Sequence, residues 1–336
     1  MSGFVPVTIP SMKAIIQDRY GPPDVLRLED VERPVPADDE VLIRVRATSV
    51  NAADLDALFG RPAFARPLYG VRRPKHRIPG MDVAGEVVSV GRLVTRFKPG
   101  DAVFGDLTNS GMGAFAEYVC GRERVLAPKP VSMTFEQAST IPQSAIIALQ
   151  GLRGRRPIRT GDQVLINGAS GNVGPFAVQI ARSFGAEVTG VCRTSKIDFV
   201  RSLGVDHVID YTAQDVTRGG VRYDWILDAT APHSLRAWRR VLAPDGTYVM
   251  IGGPGRRILT AMAVGPLIRL TGRQRMGLLL SWKPSNLADL AILTAMFEAG
   301  TIAPVSDRTY SLREIPDALR YLHEGRACGK LVITVA

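Results

Sequence analysis

The stretch Val164-Leu165-Ile166-Asn167-Gly168-Ala169-Ser170-Gly171-Asn172-Val173-Gly174-Pro175 puts a short apolar run before a glycine-rich turn and a helix start. Glycines let a backbone turn tightly and approach a pyrophosphate, whose charge settles at a helix N-terminus. The spacing is Ala169-x-Gly171-x-x-Gly174, with Ala in the first glycine place. Pro175 suits a first helical turn, where its missing N–H would have had no intrahelical partner. A glycine turn alone can be purely structural. With an apolar strand before it and a helix after it, this one predicts dinucleotide binding by Ala169, Ser170, Gly171, Asn172, Val173 and Gly174.

About 20 residues beyond such a loop the chain meets the adenosine ribose, where an NAD site places Asp or Glu. Here that place reads Val191-Cys192-Arg193-Thr194-Ser195-Lys196, with no carboxylate before Asp198. Cations and hydroxyls suit a 2′-phosphate through charge-assisted hydrogen bonds. Thr194, Ser195 and Lys196 therefore predict NADPH. The alternative is a helix cap followed by a solvated lysine. Tyr211, just past the next strand, is in place to stack on adenine or to be an ordinary strand-end tyrosine.

Metal chemistry has no such support. Cys120, Cys192 and Cys328 are far apart, and with four histidines they form no ligand spacing. A catalytic zinc needs three N, S or O ligands from the protein. Isolated cysteines also carry no disulfide framework, which makes a reducing cytoplasm the expected location. The 336 residues, 46% hydrophobic and 22% charged, form an ordinary globular composition and exclude wholesale disorder. No run of about 20 apolar residues is present, so no spanning helix is expected. Met1–Pro10 lacks the pattern of a signal peptide. The net charge of +10 comes from dispersed basic residues with only 7% aromatics. That favours a solvated surface and anionic small ligands over nucleic acid.

The elements that must position these residues fall into two kinds. The first 130 residues read as short strands, Lys13–Gln17, Val41–Ala47, Gly80–Val90, Ala102–Phe104 and Ala114–Val119, separated by Pro- and Gly-containing turns. They predict a barrel-like or sandwich unit. Ser132 is placed to cap a helix over Phe135–Thr140, and Ser144–Leu152 continues as a helical run. Strands Val164–Ile166, Val188–Val191, His207–Ile209, Trp225–Leu227 and Tyr248–Ile251 then alternate with helices Pro175–Phe184, Lys196–Leu203 and Ser234–Leu242. That alternation predicts an α/β fold with a doubly wound parallel sheet. Asn286–Ala299 and Ser311–Glu324 read as helices and Leu331–Val335 as a final strand.

Residues 256–283 are apolar, carry Arg256, Arg257, Arg269, Arg273 and Arg275, and contain no acidic residue. Three readings stay open for them. Leu267, Ile268, Leu270, Met276 and Leu278–Leu280 shield a hydrophobic substrate, or the segment is a helix pair packed on the sheet. The lesser reading is contact with an anionic membrane surface.

Ser49-Val50-Asn51-Ala52-Ala53-Asp54, Ile78-Pro79-Gly80-Met81-Asp82-Val83-Ala84-Gly85 and Gly113-Ala114-Phe115-Ala116-Glu117-Tyr118 occur in that order. The glycine loop, Ser202-Leu203-Gly204-Val205-Asp206-His207-Val208-Ile209-Asp210-Tyr211 and Gly329-Lys330-Leu331-Val332 follow. Together they resemble the medium-chain dehydrogenase/reductase superfamily, specifically its zinc-free quinone oxidoreductase (zeta-crystallin-like) branch. The resemblance covers nearly the whole chain. It implies a GroES-like β domain over 1–130, completed by 300–336, and a Rossmann NADPH-binding domain over 131–299. Relatives usually dimerise through an edge of the Rossmann sheet, so a homodimer is expected.

The resemblance also implies roles. Zinc-dependent relatives place a Cys near position 51 and His-Glu near position 81, where this chain has Asn51 and Met81-Asp82. Asn51 would then donate to a substrate carbonyl or hold the nicotinamide face, with Asp54 behind it at the helix start. Ile251, Gly252 and Lys330 would join the cofactor site. Arg61 lies in the loop 59–73, which would line the cleft mouth or simply be solvated. Ile147 stands where family members commonly have a Thr that contacts the nicotinamide half; Gln143 or Ser144 is placed to compensate. The expected function is zinc-independent, NADPH-dependent hydride transfer to quinones or α,β-unsaturated carbonyl compounds. The alternatives are an enoyl-thioester reductase and a low-activity NADPH-binding sensor or RNA-associated protein.

Overall fold

The computed structural model describes residues 10–336 except 155, 269, 271, 280 and 281. The readings of the stretch before Pro10, of Arg269 and of Leu280 lie outside the described residues. The chain runs β1 (Ser11–Ile16), β2 (Arg27–Glu32), β3 (Glu40–Val50), α1 (Ala52–Phe59), α2 (Arg66–Tyr69), β4 (Asp82–Val90) and β5 (Ala102–Asp106). It continues with β6 (Tyr118–Arg122), β7 (Leu126–Pro128), α3 (Phe135–Thr140) and α4 (Ser144–Gly151). Then come β8 (Gln163–Asn167), α5 (Gly174–Ser183), β9 (Glu187–Cys192), α6 (Ile197–Ser202), β10 (His207–Asp210) and β11 (Tyr223–Asp228). The rest is α7 (Leu235–Val241), β12 (Leu242–Met250), α8 (Gly255–Ile268), β13 (Arg275–Leu278), α9 (Leu287–Glu298), β14 (Ser306–Ser311), α10 (Ile315–His323) and β15 (Lys330–Thr334).

Strands β8 to β13 form a parallel sheet in the order β10-β9-β8-β11-β12-β13. Strands of such a sheet are covered on both faces, which is why Val164, Leu165 and Ile166 form an unbroken buried run. The chain moves outward from β8 to β10 and then restarts at β11 on the other side of β8. This reversal opens a crevice at the carboxyl ends of β8 and β11, the usual ligand position in doubly wound sheets. Asn167 and Asp228 end those two strands, and Asn167 Nδ2 donates to Asp228 Oδ1 at 2.7 Å.

The second sheet is GroES-like, with the order β14-β15-β3-β4-β5-β7 and β6 paired to β3. The C-terminal β15 therefore joins strands from the first third of the chain. It runs antiparallel to β3 with Leu331 opposite Val50, so the next step of the register brings Lys330 toward Asn51. Strand β4 pairs with β5 so that Asp82 lies opposite Asp106. One apolar core lies between the parallel sheet and helices α4, α5 and α9, and another fills the GroES-like sheet.

Several local expectations are corrected. The 114–116 part of the expected Ala114–Val119 strand makes only a bridge, Ala14 to Ala116, and the ladder to β3 begins at Tyr118. The backbone of 114–115 is engaged instead with Pro79, Gly80 and Ile15. Helix α3 is capped by Thr134 rather than Ser132, because Thr134 and Gln137 exchange side-chain and backbone hydrogen bonds in a capping box. Residues 256–283 are not a helix pair: after α8 the chain adds β13 as a sixth parallel strand. Ile268 and Met276 are buried with Trp238 and Tyr248, whereas Leu267 and Leu270 are 57% and 83% exposed. The start of α8 abuts the 59–73 loop: a Cβ on Gly255 would lie 2.9 Å from Pro62 Cβ. Among the described residues no helix is long and apolar enough to cross a membrane.

Candidate active site

The glycine loop leaves β8 through Gly168, whose φ of 88° favours glycine. The N–H groups of Gly168 and Ala169 donate to Val191 O on β9, at 3.2 and 3.1 Å. A Cβ on Gly174 would meet Ala169 O at 2.3 Å, so the tight approach of loop to helix requires glycine there. Pro175 lies in the first turn of α5, as expected. Asn172 Nδ2 donates to Val50 O at 2.6 Å, while its Oδ1 is buried without a partner among the described residues. This cradle, with the N-terminus of a ten-residue helix behind it, fits the pyrophosphate half of a dinucleotide.

The ribose end is more engaged than its sequence suggests. Lys196 is 7% exposed, and its ammonium donates to Ala327 O. Arg193 donates to Gly325 O, and Gly329 N–H donates to Ser170 O at 3.0 Å. The segment 325–329 thus lies against the residues read as the cofactor's adenosine side. Burial lowers the Lys196 pKa. A carboxylate also reaches this end from the neighbouring strand: Asp210 Oδ2 accepts from Thr194 Oγ1 at 2.6 Å, and its Oδ1 accepts from Thr212. Sequence spacing along β9 missed Asp210 because it arrives from β10. Ser195 is exposed, and Tyr211 stands 55% exposed beside the same strand ends. Ile251 and Gly252 are half-buried just beyond β12, and Ile251 N–H donates to Asp228 O at 2.9 Å.

On the other side of the loop a buried polar cluster surrounds Asn51, which precedes α1. Asn51 N–H donates to Asp54 Oδ2 at 2.8 Å, so Asp54 holds the Asn51 backbone, and its Oδ1 has no partner among the described residues. The Asn51 amide lies between two charges. Its Nδ2 donates to Asp82 Oδ2 at 2.9 Å, and its Oδ1 accepts from Lys330 Nζ at 2.5 Å and from Ser144 Oγ at 3.2 Å. Asp82 also accepts from Ser49 Oγ at 2.7 Å, from Gln143 N–H at 3.0 Å and from Lys330 Nζ at 3.3 Å. Lys330, read from sequence as a cofactor contact, is fully buried in this cluster, and its ammonium also donates to Ser144 Oγ at 3.2 Å. Ile147 is half-buried one turn into α4.

Burial, helped by the charge of Asp82, raises the pKa of Asp54 and of Asp106 to about 7 each. Burial lowers that of Lys330. The roles of Asp82 and Asp106 were missed in the sequence; the available signal was an acidic residue bounding an otherwise apolar strand. Zinc does not fit this cluster. Asp82 is taken up by four donors, Met81 Sδ accepts from Gln143 Nε2 at 2.9 Å, and Asn51 is held at both ends of its amide. Among the described residues no three His, Cys, Asp or Glu side chains converge as a metal site.

Comparison with known proteins agrees with this geometry. The profile of the alcohol dehydrogenase GroES-like domain matches residues 37–131, and that of a zinc-binding dehydrogenase matches 203–333. A 2-methylene-furan-3-one reductase from Solanum lycopersicum is 31% identical over 97% of this chain and 80% of its own. A chloroplast envelope quinone oxidoreductase homolog from Arabidopsis thaliana is 32% identical over 96% of this chain and 98% of its own. The solved quinone oxidoreductase from Coxiella burnetii superposes with a TM-score of 0.85 at 27% identity, covering 97% of this chain and all of that one. With a dinucleotide cradle and a polar amide cluster on one shared seam, this chain belongs to the medium-chain dehydrogenase/reductase superfamily, in its quinone oxidoreductase branch, and is an oxidoreductase that uses a nicotinamide cofactor.

Proposed function

We propose that the protein is a zinc-independent reductase that uses NADPH to reduce quinones or α,β-unsaturated carbonyl compounds. The observation that carries this reading is the Asn172–Val50 hydrogen bond, which ties the glycine loop to the residue before Asn51. Cofactor and substrate groups held on either side of that seam would meet without a further search through solution, which is the main rate advantage of a bound pair. A bound nicotinamide supplies hydride. The chain's part is to orient and to polarise. Asn51 offers an amide N–H for the substrate oxygen as charge develops there, a task a metal would otherwise perform. The proton that completes the reduction comes from solvent in this scheme. The names of the tomato and Arabidopsis relatives, an enone-type reductase and a quinone oxidoreductase, support the substrate class. The cations Arg193 and Lys196 just beyond β9, although each also donates to a carbonyl of the 325–327 segment, support the reading of a 2′-phosphate.

The test is NADPH consumption with a panel of quinones, enones and enoyl thioesters, beside the same panel with NADH. Turnover with quinones or enones and a preference for NADPH is expected. Tight NADPH binding with negligible turnover on every acceptor would make the protein a sensor and overturn the assignment.

A further inference from the structure

We propose that Lys330 is a positioning residue: its ammonium fixes and polarises the Asn51 amide so that one N–H is presented to the reacting oxygen. The proposal rests on the reading of Asn51 as the group that faces the substrate. An ammonium can only donate and a carboxylate can only accept. An amide held between Lys330 Nζ and Asp82 Oδ2 therefore has a single orientation, with its carbonyl at the lysine and its NH₂ at the carboxylate. Asp82 takes one of the two N–H bonds, and among the described residues it is the acceptor for that nitrogen. No other acceptor meets that nitrogen among the described residues, which leaves the second N–H for the reacting oxygen.

The cation does two further things. It draws electron density toward the amide carbonyl, which makes the remaining N–H a stronger donor, since linked hydrogen bonds in a dry site polarise one another. It also neutralises Asp82, whose charge would otherwise oppose negative charge developing on the substrate oxygen. Lys330 and Asp82 are both fully buried, so water screens neither effect. A lysine placed only to close a core would be an expensive choice, because a buried pair often stabilises less than well-packed apolar residues. Its placement at 2.5 Å from the Asn51 carbonyl gives that cost a functional return.

The experiment compares the parent enzyme with Asn51→Ala, Lys330→Met, and the combined Asn51→Ala/Lys330→Met variant. The charge-balanced Lys330→Met/Asp82→Asn variant covers the case in which Lys330→Met alone fails to fold. Lys330→Met is expected to lower kcat tenfold or more, with the NADPH dissociation constant unchanged within twofold. In the Asn51→Ala background the same change should cost nothing further, the non-additivity of groups that act as one unit. The kcat of the parent should fall at alkaline pH as Lys330, faced by Asp82, Asp54 and Asp106, loses its proton. That limb should be absent from Lys330→Met. A full loss in the Asn51→Ala background, or a selective loss of NADPH affinity, would overturn the proposal and return Lys330 to a structural or cofactor role. Full activity of Asn51→Ala would instead overturn the reading of Asn51 itself, whatever Lys330 does. If Lys330→Met does not fold, an unchanged kcat in the charge-balanced variant would also overturn it.

Discussion

Asn172 in the glycine loop donates its amide N–H to the backbone carbonyl of Val50, at 2.6 Å, across the seam between the two sheets. The bond is buried, and the opposite end of the same amide has no partner among the described residues. One side chain thus joins the cradle for a pyrophosphate to the strand end that presents Asn51. The two halves of the site are positioned against each other by a contact between the glycine loop that follows β8 and the last residue of β3.

The proposed preference for NADPH rests on the ribose end. Lys196→Ala is expected to weaken NADPH binding about tenfold or more, because a hydrogen bond to a charged group is worth roughly 1.5–3 kcal/mol. NADH binding should stay nearly the same, since NADH brings no 2′-phosphate to the ammonium, which donates to the Ala327 carbonyl. Titration of both cofactors against parent and variant checks this. Equal affinity of the parent for the two cofactors would contradict the assignment.

Metal independence is open to a direct measurement. Asp82 and Asn51 are committed to Lys330, Ser49, Gln143 and each other, and among the described residues no His, Cys, Asp or Glu group is arranged to hold zinc. Prolonged chelation should leave turnover intact, and elemental analysis should find no stoichiometric zinc. Activity lost on chelation and restored by zinc would mean that the cluster rearranges around a metal.

Stability should respond to pH through Asp54. Its folded pKa of about 7 stands above the ordinary 3.8, chiefly because of burial. The folded chain therefore holds a proton that the unfolded chain releases between those values. The stabilisation is fully present below pH 3.8 and is lost as pH rises through 7, amounting to roughly 4 kcal/mol at most for this one group. Asp54→Asn cannot ionise and can still accept from the Asn51 N–H. Its melting temperature should gain on the parent between pH 5 and pH 8. A difference that stays constant over that range would show that Asp54 does not titrate there.

What the sequence determined was local. The glycine loop could be read because strand, turn and helix are contiguous, and because the clash at Gly174 involves Ala169, five residues earlier. The parallel sheet was legible in the alternation of buried apolar runs with amphipathic helices, even where boundaries shifted by a few residues. Strand β13 was not, since a four-residue edge strand inside an Arg-rich apolar segment carries no period of its own. The polar cluster was decided by tertiary structure alone. Lys330 and Asn51 are 279 positions apart and meet through the register of β15 on β3. Asp82 and Asp106 face each other through the pairing of β4 with β5, and Asp210 reaches Thr194 through that of β10 with β9. Residue type alone gave a lysine, an amide and three carboxylates, Asp54, Asp82 and Asp106. Whether they are solvated or buried together depends on strand register, and the burial is what raises Asp54 and Asp106 to about 7 and forces the Asn51 amide into one orientation.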